Sequence, residues 1–383
     1  MSTSRMIIVI IITLSVYALA NIYVARRVFQ WLCLRFSPNE IVFAIIYIFM
    51  VLITLVMGYV PLSYGINRLM QLIGSYWMAI TMYLLIFFLT ADLIFFLGKT
   101  TKIIPFPIFP NARFFNGLAI FLFVAGMLFF ASLNARKIDL VSYQIQLRDA
   151  VFNNMKIVLI SDSHLGSVNN FENDLESIVQ KINNLTPDIV CLAGDIFNDD
   201  FSAIRNPERA MSLLKSIDAT FGVYACLGNH DGGRTFNQMV GFLEASNIKL
   251  LNDDYVIIDE RLALFGRIDS SPIGGFGELK RQDISHIISS VSVSMPIIVL
   301  DHTPSNMKEY GEEVDLILSG HTHGGQVFPA NINLLRNAMF GVGYGYYQRD
   351  ANSPQVIVTS GISTWGPPMR LGTSNEIVSI ILR

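Results

Sequence analysis

Four uninterrupted apolar stretches, Met6–Val24, Ile41–Val60, Trp77–Leu97 and Phe115–Leu133, decide what the first third of this 383-residue chain can fold into. Each is 19 to 21 residues long, the length at which a helix crosses the hydrocarbon core of a bilayer. Buried helices of a soluble domain would be shorter and amphipathic. The first stretch exceeds the apolar core of a signal peptide, has no small-residue cleavage site after it, and has three companions. Residues 1–137 are therefore expected to form an all-α transmembrane domain of about four helices.

Charge divides the chain at the same place. Up to Lys137 there are ten Lys/Arg against two Asp/Glu, a balance of +8, and the remainder carries 17 against 28, a balance of −11. An acidic domain without a basic cluster argues against nucleic acid as a partner, and no obligate protein partner is evident. An even number of spans would put both chain ends on one side. Arg26, Arg27, Arg35, Lys99, Lys102 and Arg113 flank the first and third loops, against Arg5, Arg68, Arg136 and Lys137 on the opposite face. The positive-inside rule then tilts the C-terminal domain to the extracytoplasmic side. Asp92 is the only acid within a span and sits near the end of its helix, where an interface position accounts for it. Cys33, Cys191 and Cys226 form no CxxC pair and read as buried thiols.

Residues 138–154 read as a polar linker. Beyond them short apolar strands alternate with longer amphipathic segments. Met155–Ser161, Asp188–Ala193 and Gly222–Leu227 read as strands, and Phe171–Asn184, Arg205–Ile217 and Phe236–Ser246 as helices, the βαβ pattern of an α/β domain. Strands with turns follow at Tyr255–Asp259, Leu262–Arg267, Pro296–Leu300, Asp315–Leu318, Gln355–Thr359 and Ile377–Leu382. Two packed sheets with helices outside accommodate both parts, in a domain spanning 155–383.

The strands end in polar residues of one chemical type. The first ends in Asp162-Ser163-His164, the second in Gly194-Asp195 with Asp199 four residues on, and the third in Gly228-Asn229-His230-Asp231. Asp301-His302 and Gly320-His321-Thr322-His323 follow two later strands. In α/β sheets ligand groups gather at the carboxyl ends of strands, and mixed carboxylate and imidazole donors suit Mn, Fe or Zn. A single Asp-x-His is weak evidence, since Asp also caps helices. The histidines carry the argument: of six in the chain, five (His164, His230, His302, His321, His323) sit at these strand ends. His286, in an amphipathic segment, reads as an ordinary packing residue. The five motifs together predict a metal cluster.

In order and spacing these motifs resemble those of the calcineurin-like metallophosphoesterase superfamily: DxH at Asp162 and His164, GDxxD at Asp195 to Asp199, GNHD at Asn229 to Asp231, a single His302, and GHTH at His321 and His323. The longer GHTHGGQ, with Pro329 soon after, and the segment Gly366–Gly372 are similar to the membrane-associated bacterial branch, which includes phosphodiesterases and UDP-diacylglucosamine hydrolases. The resemblance implies a four-layer αββα sandwich, an integral protein of a bacterial plasma membrane, and two divalent cations. One would take Asp162, His164, Asp195 and His323; the other Asp195, Asn229, His302 and His321, with Asp195 shared. It further implies hydrolysis of a phosphodiester or pyrophosphate by metal-activated hydroxide.

His230, beside Asn229 but outside both ligand sets, is the candidate general acid, with Asp231 expected to orient its imidazole. Asp199 is a candidate supporter of Asp195 or of a neighbouring histidine. Arg370, in a Gly/Pro-rich loop, is a weaker candidate for substrate phosphate. Apolar residues around Met339–Tyr347 would either cover an acyl or nucleoside group or pack a strand. The expected substrate is a phosphate ester, lipid-linked if anchoring to the bilayer serves access. A phosphomonoesterase, and a membrane receptor or scaffold that keeps the metal site for binding, are the alternatives; retention of His230 favours an enzyme.

Overall fold

A computed structural model of the chain describes residues 3–56, 64–103, 109–148, 154–169, 171–288 and 295–383. It divides into two units, Met1–Phe130 and Ala131–Arg383.

The first unit is helical. Its helices are Thr3–Leu32 (α1), Glu40–Val56 (α2), Tyr64–Thr100 (α3) and Pro110–Asn134 (α4), whose last turn is counted with the second unit. Among the described residues three are long and apolar enough to cross a membrane, over Ile10–Leu32, Gly65–Thr100 and Pro110–Asn134, while Glu40–Leu55 is a shorter apolar helix. Residues 57–60 of the second predicted span lie outside the described residues. Large apolar side chains such as Leu19, Ile41, Leu122 and Phe129 face outward, the arrangement that suits a lipid surround rather than water. Asp92 is not left as an isolated charge: it accepts a hydrogen bond from the Tyr23 hydroxyl at 2.6 Å and pairs with Arg27. Neutralising a carboxylate locally is what the apolar phase demands. Cys33, expected to be buried, is exposed, whereas Cys191 and Cys226 are buried as expected.

The second unit contains two six-stranded sheets. The strands in chain order are Ile138–Ile145 (β1), Met155–Ile160 (β2), Ile189–Ala193 (β3), Val223–Cys226 (β4), Ile248–Leu250 (β5), Asp254–Ile258 (β6), Leu262–Gly266 (β7), Ile297–Leu300 (β8), Leu316–Ser319 (β9), Gly345–Tyr347 (β10), Gln355–Val358 (β11) and Asn375–Leu382 (β12). One sheet runs β1-β12-β2-β3-β4-β5 and the other β10-β11-β9-β8-β7-β6. Side-chain alternation builds the layers. Along β2, Ile157 and Leu159 enter the core between the sheets, and Val158 and Ile160 enter the core beneath the helices. Along β8, Ile298 and Leu300 face the first sheet while Ile297 and Val299 face the opposite side.

Helices Phe171–Asn184 (α5), Pro207–Lys215 (α6) and Phe236–Ala245 (α7) cover the first sheet. The short helix Ile284–Ile288 (α8) and a 3-10 segment, Pro304–Glu309, cover the second. The layers are αββα, and the central strands keep both faces buried, as parallel strands require. α6 starts where its sequence says it should: the Asn206 side chain accepts from the Arg209 amide at 3.0 Å, and Pro207 takes the first turn.

One expectation is corrected. The segment read as a polar linker supplies β1, which pairs in parallel with β12 from Ile138 opposite Asn375 to Ile145 opposite Leu382. Its half-exposed, mixed side chains resemble a linker because it is an edge strand, and the partner that makes it a strand lies at the other end of the chain. Residues 149–153 of the predicted linker lie outside the described residues.

Candidate metal centre

The parallel strands β2, β3 and β4 of one sheet and β8 and β9 of the other point their carboxyl ends at one place. The loops leaving them carry every residue singled out as a ligand. Five of these residues take a left-handed backbone: Asp162 (φ 57°), His164 (46°), Asp195 (50°), His321 (70°) and His323 (50°). Non-glycine residues rarely adopt it, and such strain persists where a site over-determines the backbone. Two glycines permit the close approach. A Cβ on Gly228 would lie 2.3 Å from the Asp195 amide nitrogen and 2.3 Å from its Oδ1, and one on Gly320 would lie 1.8 Å from the Ser161 hydroxyl.

Two donor groups result, Asp162 with His164 and His323, and Asp195 with His302 and His321, each with its ligand atoms within 4.8 Å of one another. His164 Nε2 stands 3.2 Å from His323 Nε2, and His323 Nε2 stands 3.5 Å from Asp162 Oδ1. His302 Nε2 lies 3.1 Å from Asp195 Oδ2, which is 3.8 Å from His164 Nε2, so one carboxylate oxygen reaches both groups. His321 Nδ1 is 2.9 Å from Asn229 Oδ1. Bonds of about 2.1 Å place neighbouring donors of a tetrahedral or octahedral cation about 3.0–3.4 Å apart, and the donor pairs here stand between 2.9 and 3.8 Å.

The remaining contacts fix these donors. His302 Nδ1 lies 2.8 Å from the Ala193 carbonyl, which leaves Nε2 to face Asp195. Asp195 Oδ1 accepts from the His230 amide at 2.8 Å, and Asp162 accepts from the Ser161 hydroxyl at 2.7 Å and the His321 amide at 3.1 Å. His164 Nδ1 and His323 Nδ1 are buried without a hydrogen-bond partner. Burial pulls the His164 and His321 imidazoles down to about 4, which keeps their lone pairs available at neutral pH. Burial likewise pushes the Asp162 carboxyl up to about 6. Burial opposes charge on His302 and Asp195 as well, but their mutual attraction outweighs it: the imidazole is held well above its usual range and the carboxyl below its own. Two carboxylates beside four imidazoles give the pocket the mixed oxygen and nitrogen donors that suit a divalent transition metal. The donor set fits two divalent ions.

His230 is mostly buried at the rim, and its Nδ1 lies 2.8 Å from Asp199 Oδ1. Burial lowers its pKa, but the Asp199 hydrogen bond and the charge of Asp195 outweigh burial and raise it above the ordinary imidazole value.

Two expectations fail here. Asp231 does not orient His230. Its oxygens accept from the Phe197 and Gly228 amides, each at 2.8 Å, and burial pushes its carboxyl up to about 7. The chain turns sharply here, the Asp231 amide donating back to the Gly228 carbonyl at 3.2 Å, so Asp231 is held inside its own loop and Asp199 takes the expected role. Nor is Arg370 free to hold a phosphate. It is fully buried, and its guanidinium donates to the carbonyls of His323, Ser360 and Ser363, to Asn375 Oδ1 and weakly to Thr373 Oγ1. Those contacts engage all five N–H groups of an arginine, so its part is to brace the loop carrying His323.

Three further side chains border the site; sequence reasoning passed over Trp365 and Arg281, while Phe340 lay in the Met339–Tyr347 run. Trp365, half-exposed, has its ring centroid 6.1 Å from that of His230, and Gln326 holds it through both backbone groups. The Phe340 ring meets His321 edge-on at 5.7 Å. Arg281, paired with Asp301 at 2.5 Å, anchors the residue before His302. None follows a spacing rule; the GHTHGGQ glutamine was the one available signal.

A model of the calcineurin-like phosphoesterase family matches residues 155–325. The chain is 32% identical over 235 residues to an uncharacterized metallophosphoesterase of Campylobacter jejuni, 60% of this chain and 59% of that one. It is 31% identical over 229 residues to an uncharacterized metallophosphoesterase of Aquifex aeolicus, 60% of this chain and 85% of that one. A cattle (Bos taurus) transmembrane protein with a metallophosphoesterase domain is 31% identical over 245 residues, 60% of this chain and 53% of that one. The chain thus spans less than two thirds of the Campylobacter and cattle proteins' length.

Proposed function

Since the chain belongs to the calcineurin-like metallophosphoesterase family, we propose that it is a membrane-anchored binuclear hydrolase of phosphodiester or pyrophosphate bonds. One observation carries the reading: Asp195 Oδ2 stands between His302 at 3.1 Å and His164 at 3.8 Å, positioned to be shared by two cations. Asp162, His164 and His323 complete one ligand set, and Asn229, His302 and His321 the other. Divalent ions held by these residues would supply a nucleophile activated at neutral pH and charge to offset that on the phosphoryl oxygens.

The protein's own groups do the rest. His230, whose pKa the Asp199 hydrogen bond and the Asp195 charge raise against burial, is the group that gives a proton to the departing oxygen. Asp199 engages Nδ1 at 2.8 Å, which leaves Nε2 as the nitrogen free to act on the substrate. Trp365 offers a flat apolar face beside His230 for the leaving portion of the substrate. Arg370 and Gln326 keep the loops bearing His323 and Trp365 in register.

Hydrolysis of an activated phosphodiester by the detergent-purified chain with Mn²⁺, beside Asp195→Asn, tests this. Turnover by wild type and none by the variant is expected. Equal rates for the two would refute the role of Asp195.

A further inference from the structure

The helix that follows the second metal-bearing loop is built inside out. Asn333–Phe340 (α9) has one buried residue, and that residue is Arg336. Its guanidinium lies over the Tyr344 ring, 5.4 Å from the centroid, and Nη1 donates to the Gly324 carbonyl at 3.3 Å. The outward side carries Leu334, 79% exposed, with Leu335 and Met339, and Phe328 and Ile332 extend the exposed apolar surface just before the helix. A helix facing water shows the reverse arrangement, apolar inward and charged outward. A contiguous apolar face of this kind marks a surface that meets another phase or partner.

The chain identifies that phase. A helix apolar and long enough to cross a membrane ends at Asn134, and β1 begins at Ile138. Three linking residues reach roughly 14 Å at most, so β1 starts close to the bilayer surface. Immediately after α9 come Tyr344, Tyr346 and Tyr347, all exposed, a residue type enriched where membrane meets water.

We infer that the outward face of α9 is an interfacial docking element that lies in the boundary between lipid headgroups and acyl chains. An amphipathic helix in that boundary buries its apolar side about 5–10 Å deep. α9 is joined to the metal centre at two points, from its middle through Arg336 to the carbonyl beside His323 and from its last residue, Phe340, to the His321 ring. Docking therefore holds the centre at the lipid surface, where the phosphate esters of lipid headgroups present themselves. The docking goes beyond the hydrolase reading and does not depend on turnover.

The test uses the full chain in phosphatidylcholine vesicles, with and without nitroxide groups on the acyl chains. An environment-sensitive fluorophore is attached through Leu334→Cys, Met339→Cys or, as control, Lys249→Cys on exposed β5, all in a Cys33→Ser background. Nitroxide quenching at 334 and 339 is expected to exceed that at 249 severalfold, since only those two positions would enter the acyl boundary. Equally weak quenching at all three positions would overturn the proposal. Blue-shifted but unquenched emission at 334 would also overturn it, by showing that a protein surface, such as a second copy of the chain, covers α9. Melting curves of each labelled variant separate loss of fold from loss of docking.

Discussion

Arg370→Met distinguishes a bracing arginine from a substrate-binding one. The substitution leaves the carbonyls of His323, Ser360 and Ser363 and the side-chain oxygen of Asn375 without their donor. Each buried acceptor stripped of its partner costs about 1–3 kcal/mol. Relaxation and water entry will recover part of this, so a loss of about 5 kcal/mol is expected, in the range reserved for broken buried networks. For a unit of this size each kcal/mol moves Tm by about 2–4 °C, which predicts a fall of roughly 10–20 °C. Calorimetry on the detergent-solubilised full chain follows the transition of the second unit. Arg370→Lys keeps the charge but offers three donors where five are used, and should fall between the two. An unchanged Tm together with a raised KM would refute the bracing role and restore the phosphate-binding one.

Two further substitutions probe the centre. Asp199→Asn removes the partner that raises the His230 pKa; the proton is then lost at lower pH, so the alkaline limb of the kcat/KM profile should move down. An unmoved limb would show that His230 is not the acid that the profile reports. In Gly228→Ala the new Cβ collides with the Asp195 amide and Oδ1. Metal affinity should drop about 10–100-fold, as for other changes that displace a ligand's support, while circular dichroism shows the fold retained. Unchanged affinity in titration calorimetry would mean that the loop yields without moving Asp195.

The site was legible in the sequence to the degree that its chemistry is local. Ligand residues follow apolar strands because parallel strands deliver side chains at their carboxyl ends, and five histidines at such places have no common structural explanation. Helices α5, α6 and α7 and most strands stood where periodicity put them, since each has one or two clearly buried faces. What escaped depends on distant partners. β1 is a strand only because β12 lies beside it. The sequence offered Asp199 as support for Asp195 or a histidine without saying which, and gave His230 to its neighbour Asp231; the pairing is with Asp199, 31 positions away. The burial of Arg370 and of Arg336 is set by loops that close over them, and no pattern of nearby residues announces it. Of the outward apolar face of α9, only Met339 fell within a run that the sequence singled out, Met339–Tyr347; Leu334 and Leu335 drew no reading.

The proposed chemistry requires two cations sharing one carboxylate, that of Asp195. Metal content per chain, measured by elemental mass spectrometry after equilibration with Mn²⁺ and removal of free ion, tests it most directly. Two ions are predicted for the wild type, about one for His164→Ala and about one for His302→Ala, since each removes a donor from a single ligand set. One ion or none in the folded wild type, or both ions retained in both variants, would contradict it.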